Sequence, residues 1–375
     1  MKFTVTSQEL LHGILSVSKV IASKNTLPIL DNFLFELSGN SLNITAADME
    51  TRLKTSLDID EVVEEGEISI PAKLLTDSLK EFPDIPLNIE TNEEDSILEI
   101  KWINGALKLP YLSAEDYPEI AKLSDNSIEL TLPSDILLSA INNTFYATAE
   151  EELRPVMNGI FFDINTDSVT MVASDSHKLV YYTRNDIKGS EQTSFILPKK
   201  PASILKNLLP KVEGDVKITY DQKNAYFEFE GTMLICRLVE GKYPSYRSVI
   251  PKNNSNKLNV NRIDLLNAAK RVSVCSNQAS SYVKLSLAFN NMIISAQDLS
   301  FSTSAFESVA CQYDGDKMDI AFKSEFLIEI LSNLPFEEVC IELSDPSRAA
   351  LILAGEDTDP EEEICSLLMP IKIPV

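Results

Sequence analysis

Apolar and polar positions along the chain follow two periods, one typical of helices and one typical of strands. Leu10, Ile14, Val17 and Ile21 recur at helical spacing after the segment Thr6-Ser7-Gln8-Glu9, whose first and last residues match a capping box. The same reasoning predicts six helices, over residues 7–24, 73–82, 134–146, 199–209, 262–275 and 323–333.

Short β-like segments lie between these helices and are joined by hairpin turns such as Ser38-Gly39-Asn40. In the first third of the chain they cover residues 2–5, 32–37, 41–45, 52–59, 87–91 and 97–103. In the middle third they cover residues 159–164, 168–173, 178–183, 216–220, 225–229 and 233–238. Two helices with many hairpin strands predict an α+β fold, with helices packed on antiparallel sheets.

The order of these elements is repeated three times. A β-like segment ends in an acidic turn at Asp48, at Asp175 and at Asp298, which are 127 and 123 residues apart. A repeat of this length exceeds the usual solenoid unit, so we expect each copy to form a domain with its own core. The predicted domains are residues 1–122, 127–252 and 256–375.

Composition is that of an ordinary globular protein, with 44% hydrophobic residues and only 11 glycines among 375 residues. We find neither a signal-like start nor an apolar segment of the roughly 18 residues that a membrane span needs. The five scattered cysteines are typical of reduced thiols. We therefore expect a cytoplasmic protein that does not bind membranes.

The net charge of −24 at first disfavours nucleic acid as a partner. Its distribution changes that interpretation, because eleven basic and seven acidic residues fall within the six predicted helices. The helices therefore carry a net charge of +4, and the rest of the chain carries −28. Acidic runs such as 58–61 and 361–363 are expected in exposed loops and at sheet edges, where charge prevents strand pairing.

Catalytic motifs are scarce. The chain has two histidines, His12 and His177, and lacks the usual phosphate-binding glycine loops. Ser174 and His177 could form a nucleophile pair only with an orienting acid and an oxyanion hole, and Asp175 is predicted to be a turn residue. We predict no catalytic residue, no metal and no cofactor, and we consider His177 a candidate for a binding surface.

Five segments, in this order, carry a resemblance to a known family: Thr26-Leu27-Pro28-Ile29-Leu30, Met157-Asn158-Gly159-Ile160, Ala173-Ser174-Asp175-Ser176-His177-Lys178-Leu179, Lys242-Tyr243-Pro244-Ser245-Tyr246-Arg247 and Leu367-Leu368-Met369-Pro370. Together with the threefold repeat, they resemble the bacterial DNA polymerase III beta subunit, the replicative sliding clamp. The resemblance covers the whole chain.

The resemblance implies a non-enzymatic processivity factor, a head-to-tail homodimer closed into a ring around double-stranded DNA without sequence specificity. Its implied partners are the DNA polymerase III catalytic subunit, the clamp loader and other proteins with clamp-binding motifs. The implied peptide groove comprises Met157, Ser174, Ser176, His177, Lys178, Leu179, Pro244, Ser248, Val249, Phe326, Leu367, Leu368, Met369, Pro370 and Ile371. The implied DNA-binding residues are Lys24, Lys73, Lys199, Lys200 and Arg271, and the implied dimer interface contains Leu107, Leu109, Val274 and Cys275.

The chain departs from the family pattern at several places. Ser176 and Lys178 stand where the family usually has glycine and arginine, and residues 149–152 are acidic where the family's loop commonly helps to hold DNA. The tail 371–375 extends slightly past the usual end. Two alternatives stay open at this point: an acidic peptide-binding adaptor that never encircles DNA, and a hydrolase that uses Ser174 and His177.

Overall fold

The computed structural model describes residues 1–119, 121–150, 154–277, 280–355 and 359–372. Part of the acidic segment 149–152 and the end of the tail 371–375 therefore lie outside the described residues. The chain divides into two compact units, one of residues 1–135 and 203–238, the other of residues 136–202 and 239–375.

The first repeat contains β1 (Lys2–Thr6), α1 (Ser7–Val17), β2 (Asn32–Ser38), β3 (Ser41–Ala47), β4 (Thr51–Asp58), β5 (Glu61–Glu64), β6 (Gly66–Pro71), α2 (Ala72–Leu79), β7 (Pro86–Asn92), β8 (Ile97–Trp102), β9 (Gly105–Pro110) and β10 (Leu112–Ser113). The second contains β11 (Ile128–Pro133), α3 (Ser134–Thr144), β12 (Gly159–Ile164), β13 (Val169–Ser174), β14 (Lys178–Arg184), β15 (Thr193–Pro198), α4 (Lys199–Leu208), β16 (Asp215–Tyr220), β17 (Asn224–Phe229) and β18 (Thr232–Arg237). The third contains β19 (Asn256–Asn261), α5 (Arg262–Ser273), β20 (Tyr282–Ala288), β21 (Asn291–Asp298), β22 (Thr303–Val309), β23 (Cys311–Tyr313), β24 (Met318–Lys323), α6 (Ser324–Asn333), β25 (Glu338–Leu343), β26 (Ala350–Ala354) and β27 (Glu362–Leu368).

All six predicted helices are confirmed, but the first is shorter than expected. The capping box between Thr6 and Glu9 is present, and α1 ends at Val17 instead of continuing to residue 24. The Ser16 and Ser18 hydroxyls donate to the carbonyl oxygens three residues before them, which favours the end of a helix. A single 3-10 turn, Ser18–Val20, follows α1.

Every described strand pair that builds the sheets is antiparallel. The first unit has a five-stranded sheet, β5-β1-β7-β8-β9, and a nine-stranded sheet, β10-β6-β2-β3-β4-β18-β17-β16-β11. The second unit has a nine-stranded sheet, β15-β12-β13-β14-β27-β26-β25-β19-β23, and a four-stranded sheet, β22-β21-β20-β24. The predicted α+β class is confirmed.

The two nine-stranded sheets each cross a boundary between repeats. Strand β4 pairs with β18 in the first unit, with Arg52 opposite Ile235. Strand β14 pairs with β27 in the second unit, with Leu179 opposite Leu367. Neighbouring repeats therefore share continuous sheets, a feature that the repeat pattern alone did not predict.

On one face of the β14–β27 junction, a buried apolar cluster forms beneath the chain segment that follows β18. Leu179, Leu367, Tyr243 and Tyr246 belong to this cluster, and each is less than a tenth exposed. Because directly opposed residues of an antiparallel pair point to the same face, Leu179 and Leu367 share one face of the sheet, which becomes the base of the site described below. Among the described residues we find no helix with the length and apolar character that a membrane crossing requires.

Candidate functional site

The site is built around the acidic turn between β13 and β14. Asp175 accepts hydrogen bonds through Oδ1 from the backbone N–H groups of His177 and Lys178, each at 2.9 Å. The Ser174 hydroxyl donates to the Lys178 carbonyl oxygen at 2.8 Å. These bonds give the turn a defined geometry without any long-range contact.

Acidic turns of the same kind stand at the corresponding places of the other two repeats, although the turn at Asp298 is two residues longer. Asp48 accepts hydrogen bonds from the N–H groups of Glu50 and Thr51, and Asp298 accepts one from Ser300. The prediction that Asp175 is a turn residue is therefore confirmed. The interpretation of Ser174 and His177 as a nucleophile pair has no geometric support, because the Ser174 hydroxyl is buried and donates to a carbonyl oxygen of its own turn.

Lys178 is a buried cation that ties the turn to α6. Its ammonium lies 2.6 Å from Asp175 Oδ2 and 2.9 Å from Glu329 Oε2, and 4.6 Å from the centre of the Phe326 ring. Burial would lower the pKa of Lys178, but the hydrogen bonds to both carboxylates raise it above its usual value. The His177 ring also stacks on Phe326, with the two ring centres 5.4 Å apart.

A segment after β18 covers the β14–β27 junction and forms one wall of the site. Tyr243 stacks on Phe161 with ring centres 4.6 Å apart, and the Tyr246 hydroxyl donates to Asp163 Oδ2 at 2.8 Å. Arg247 donates to the same carboxylate at 3.0 Å. Burial raises the pKa of Tyr246 to about 12, so its hydroxyl remains a donor at neutral pH.

Together these elements enclose a groove with a volume of about 360 Å³. It is lined by Arg154, Met157, Ser174, Ser176, His177, Lys178, Leu179, Tyr243, Pro244, Ser245, Tyr246, Val249, Leu367 and Met369. Ten of the fifteen predicted groove residues are in this set. Val249 and Met369 are 56% and 43% exposed, so the groove offers accessible apolar surface at its edges.

Five predicted groove residues do not line it: Ser248, Phe326, Leu368, Pro370 and Ile371. Leu368 is fully buried because it points to the opposite face of β27 from Leu367. Ile371 donates its N–H to the Ala321 carbonyl oxygen and so lies against β24, whereas Phe326 contacts two lining residues, His177 and Lys178.

Sequence reasoning missed four lining residues, Arg154, Tyr243, Ser245 and Tyr246. Arg154 Nη1 donates to the Ser176 hydroxyl at 2.7 Å, and that hydroxyl lies 3.8 Å from the Met157 sulfur. Ser176 has a φ of 77°, a left-handed backbone conformation that costs a non-glycine residue about 1–3 kcal/mol. The repeat of Tyr117-Pro118 as Tyr243-Pro244 was the available sequence signal for the covering segment.

Comparison with known protein families agrees with this architecture. Models of the N-terminal, central and C-terminal domains of the DNA polymerase III beta subunit match residues 1–121, 131–245 and 247–371. The chain belongs to the DNA polymerase III beta subunit family. The resemblance noted in the sequence is thus confirmed, and so is the fold of three similar clamp domains.

Individual relatives match over nearly their whole length. The beta sliding clamp of Pseudomonas putida is 29% identical over 359 residues, which cover 95% of this chain and 97% of the relative. A crystal structure of a DnaN sliding clamp from Pseudomonas aeruginosa bound to griselimycin superposes with a TM-score of 0.93 at 27% identity. A Bartonella birtlesii DnaN clamp superposes with a TM-score of 0.92 at 29% identity, and both structures and this chain are covered completely.

This beta-subunit family member is a DNA sliding clamp that serves DNA replication, and it is not an enzyme. Clamps of this family encircle DNA and interact with the polymerase. The family match over the whole length argues against both alternatives, the peptide-binding adaptor and the hydrolase.

The predicted DNA-binding residues have different surroundings. Lys24 and Lys73 are exposed, whereas Lys199 pairs with Glu150 at 2.7 Å. Lys200 is half-buried. Arg271 forms a two-pronged ion pair with Glu307, at 2.9 and 2.5 Å, so this carboxylate already occupies its guanidinium.

The predicted interface residues lie near two sheet edges. Leu107 and Leu109 are on β9, where Leu107 is half-buried and Leu109 is buried in its own unit. Val274 follows α5 and is 84% exposed, and Cys275 beside it is half-buried. Phe306 on β22, which was not among the predicted interface residues, is 81% exposed.

Proposed function

We propose that the groove beside the Asp175 turn binds short linear motifs of replication proteins, and that two copies of the chain close into a ring around duplex DNA. The proposed partners are the DNA polymerase III catalytic subunit, the clamp loader and other motif-bearing proteins in the cytoplasm. The proposed domain boundaries are those predicted from the repeat, 1–122, 127–252 and 256–375. The groove is the single observation that gives this proposal its strongest support.

The groove has the chemistry that a short peptide requires. Leu179 and Leu367 form an apolar base, and the exposed side chains of Val249 and Met369 offer further apolar contacts. Polar groups such as His177 stand at the edge, where they can orient a peptide without filling the apolar interior.

Strand pairing supports the ring. In two repeats, the strand after the acidic turn pairs with the last hairpin strand of the next repeat: β4 with β18, and β14 with β27. Among the described strands, β22 and β9 are the corresponding strands that each pair on one side only. Pairing β22 of one copy with β9 of a second copy completes the pattern and gives a head-to-tail interface that can close.

The repeat also specifies the register of this interface. Leu53 lies opposite Leu234 and Lys54 opposite Met233 in the β4–β18 pair. Leu53 pairs with Ala46 of β3, and Ala305 pairs with the equivalent Ala296 of β21, so transferring that register places Ala305 opposite Leu107 and Ser304 opposite Lys108 of a second copy. The double variant Ser304→Cys, Lys108→Cys is expected to form a covalent dimer under mild oxidation, whereas Ser308→Cys, Lys108→Cys is not. A wild-type protein that remains monomeric at micromolar concentration in light scattering would contradict the ring.

DNA contact is proposed to be weak and independent of sequence. Lys24, Lys73, Lys199 and Lys200 are the proposed phosphate contacts, and Arg271 would first have to leave Glu307. Each direct contact adds about 0.9 to the slope of log affinity against log salt. The charge of −28 outside the predicted helices opposes close approach elsewhere, so retention depends on topology.

The decisive experiment compares circular with linear DNA. Protein loaded by a clamp loader on a nicked circle is expected to stay bound, and cutting the circle is expected to release it from the ends. Fluorescence of labelled protein on immobilised DNA measures the bound fraction. A bound fraction that is unchanged by linearisation would favour the peptide-binding adaptor.

A further inference from the structure

A pocket with a volume of about 400 Å³ lies beside the acidic turn at Asp48, within the first compact unit. We call it the first pocket, and the peptide groove proposed above does not include it. Arg52 on β4 lines this pocket, although only 9% of the residue is exposed. A charged side chain that is so deeply buried costs free energy unless an opposite charge compensates it.

Among the described residues, no carboxylate lies within ion-pair distance of Arg52. Its guanidinium donates to the Pro118 carbonyl oxygen and lies 5.4 Å from the centre of the Tyr117 ring, and both of these partners are neutral. Glu36 acts on Arg52 from farther away and already has an ion pair with Lys54 at 3.6 Å. Burial lowers the pKa of Arg52 below its usual value, but a guanidinium keeps its proton at neutral pH. The first pocket therefore contains a buried cation without a counter-ion.

The other lining residues indicate which anion fits the first pocket. Within the lining segment 118–121, only Ile120 lies outside the described residues, and its side chain carries no charge. Leu27 and Met49 are 41% and 65% exposed and offer apolar surface. Lys223, in the turn between β16 and β17, adds an exposed cation. Three acidic residues also line the pocket and would repel a second negative charge on a ligand: Asp48, Glu50 and Glu119.

We propose that the first pocket is a binding site for a single carboxylate joined to an apolar group, and that the Arg52 guanidinium is the anchor of this carboxylate. The planar guanidinium matches the two oxygens of a carboxylate, and a charged acceptor gives a stronger hydrogen bond than the Pro118 carbonyl oxygen does. The end of a peptide chain and an acidic side chain beside an apolar residue both present this group. The proposal is independent of the peptide groove beside Asp175.

Calorimetry on the full-length protein compares three acetylated peptides that all end in the same two leucines. The first has a free terminal carboxylate, the second a terminal amide, and the third a terminal amide with an aspartate before the leucines. At least one of the two carboxylate peptides is expected to bind about tenfold tighter than the neutral peptide, by a margin that decreases with added salt. Tighter binding of the first peptide identifies a chain terminus as the source of the carboxylate, and tighter binding of the third identifies an acidic side chain. Equal affinities of all three peptides would overturn the site.

Two variants of β4 show whether the carboxylate preference depends on the first pocket. Arg52→Gln is expected to bring the affinity ratios of the peptides close to one, because it removes the anchor. Lys54→Gln is the matched control, since it removes the same charge from the same strand, but Lys54 already has a carboxylate partner and does not line the pocket. Its ratios are expected to equal those of the wild type. A preference that survives Arg52→Gln, or that Lys54→Gln reduces equally, would overturn the site.

Competition between small anions tests the single charge. Inorganic phosphate at pH 8 is expected to displace the preferred peptide less well than acetate does at equal ionic strength, because phosphate carries a second negative charge. Stronger competition by phosphate would contradict the assignment of a carboxylate.

Discussion

Two turns with the same hydrogen-bond pattern, at Asp48 and Asp175, stand beside pockets of different chemistry. Each turn ends a strand of a nine-stranded sheet and precedes the strand that pairs with the next repeat. The first pocket has a volume of about 400 Å³ and the second about 360 Å³. The first is lined by Leu27, Asp48, Met49, Glu50, Thr51, Arg52, Pro118, Glu119, Ala121, Lys223, Asn224, Ile235, Cys236 and Arg237.

The decisive difference lies at the base of each pocket. Arg52 opposes Ile235 where Leu179 opposes Leu367 in the second pocket. The Arg52 guanidinium donates to the Pro118 carbonyl oxygen and lies 5.4 Å from the centre of the Tyr117 ring. A buried cation therefore occupies the place of an apolar base, and only the second of the two pockets has an apolar base.

The largest expected effect comes from copying this difference into the groove. Leu179→Arg is expected to weaken peptide binding about 100-fold or more, because apolar contact is lost and a charge enters the base. Calorimetry with a motif peptide measures the affinity and is expected to give one site per wild-type chain. Arg52→Leu is the control and is expected to leave that affinity unchanged. Peptide binding by a folded Leu179→Arg variant at wild-type strength would show that the base is not the binding surface.

A smaller effect is expected from removing the buried cation of the second pocket. Lys178→Met leaves Asp175, which is 16% exposed, and Glu329, which is 39% exposed, without their shared cation. The free energy of unfolding is expected to fall by about 2 kcal/mol, less than for a fully buried pair because Glu329 reaches solvent. Urea denaturation measures this change. A variant as stable as the wild type would mean that the ion cluster contributes nothing net.

Removing the cation of the first pocket is expected to lower the free energy of unfolding less than removing Lys178 does. Arg52→Met leaves a neutral carbonyl oxygen at Pro118, which is half-buried and can accept a hydrogen bond from water. The free energy of unfolding is expected to fall by about 1 kcal/mol. The same urea titration compares the two variants directly. If Arg52→Met loses more free energy of unfolding than Lys178→Met, the argument is wrong that carboxylates left without their cation cost more stability than a neutral carbonyl oxygen.

Local patterns predicted much of this molecule because helices and hairpins depend on neighbouring residues. The capping box at Thr6 and the acidic turn at Asp175 are examples whose hydrogen bonds span only two or three residues. The β14–β27 pair joins residues about 180 positions apart, so no local period could reveal that a sheet crosses a repeat boundary. Arg154 and Tyr243 were missed for the same reason, since they enter the groove from distant segments.

The acidic run 361–363 was only partly predicted. Glu361 and Glu363 are exposed, as expected, but β27 is not a sheet edge, because it lies between β14 and β26 in the interior of its sheet. The Tyr182 hydroxyl donates to Glu362 at 2.7 Å, and Arg184 lies 3.6 Å from the same carboxylate. Charge alone did not indicate an edge, because its compensating partners come from another repeat.

The smallest expected effect concerns how the stability of the β14–β27 junction depends on pH. Arg184 donates to both Asp186 oxygens and to Asp359, whereas Leu57 holds the corresponding position in β4. The hydrogen bonds from Arg184 hold the pKa of Asp186 below its usual value. A carboxyl whose folded-state pKa is lowered stabilises the protein above its unfolded pKa of about 3.9, and this contribution is lost as pH falls through the folded value.

Asp186→Asn is therefore expected to be slightly less stable than the wild type at pH 7 and to lose less stability on acidification below about pH 4. The difference is expected to stay below about 1 kcal/mol because Asp186 is 40% exposed and solvent screens the pair. Urea denaturation of both proteins at pH 7 and pH 3.5 measures it, with Leu57→Val as a control at the corresponding position of β4, where no titrating group is changed. If the wild type and Asp186→Asn lose the same free energy of unfolding on acidification, the Arg184–Asp186 ion pair does not contribute to acid sensitivity. The two junctions would then differ in packing alone.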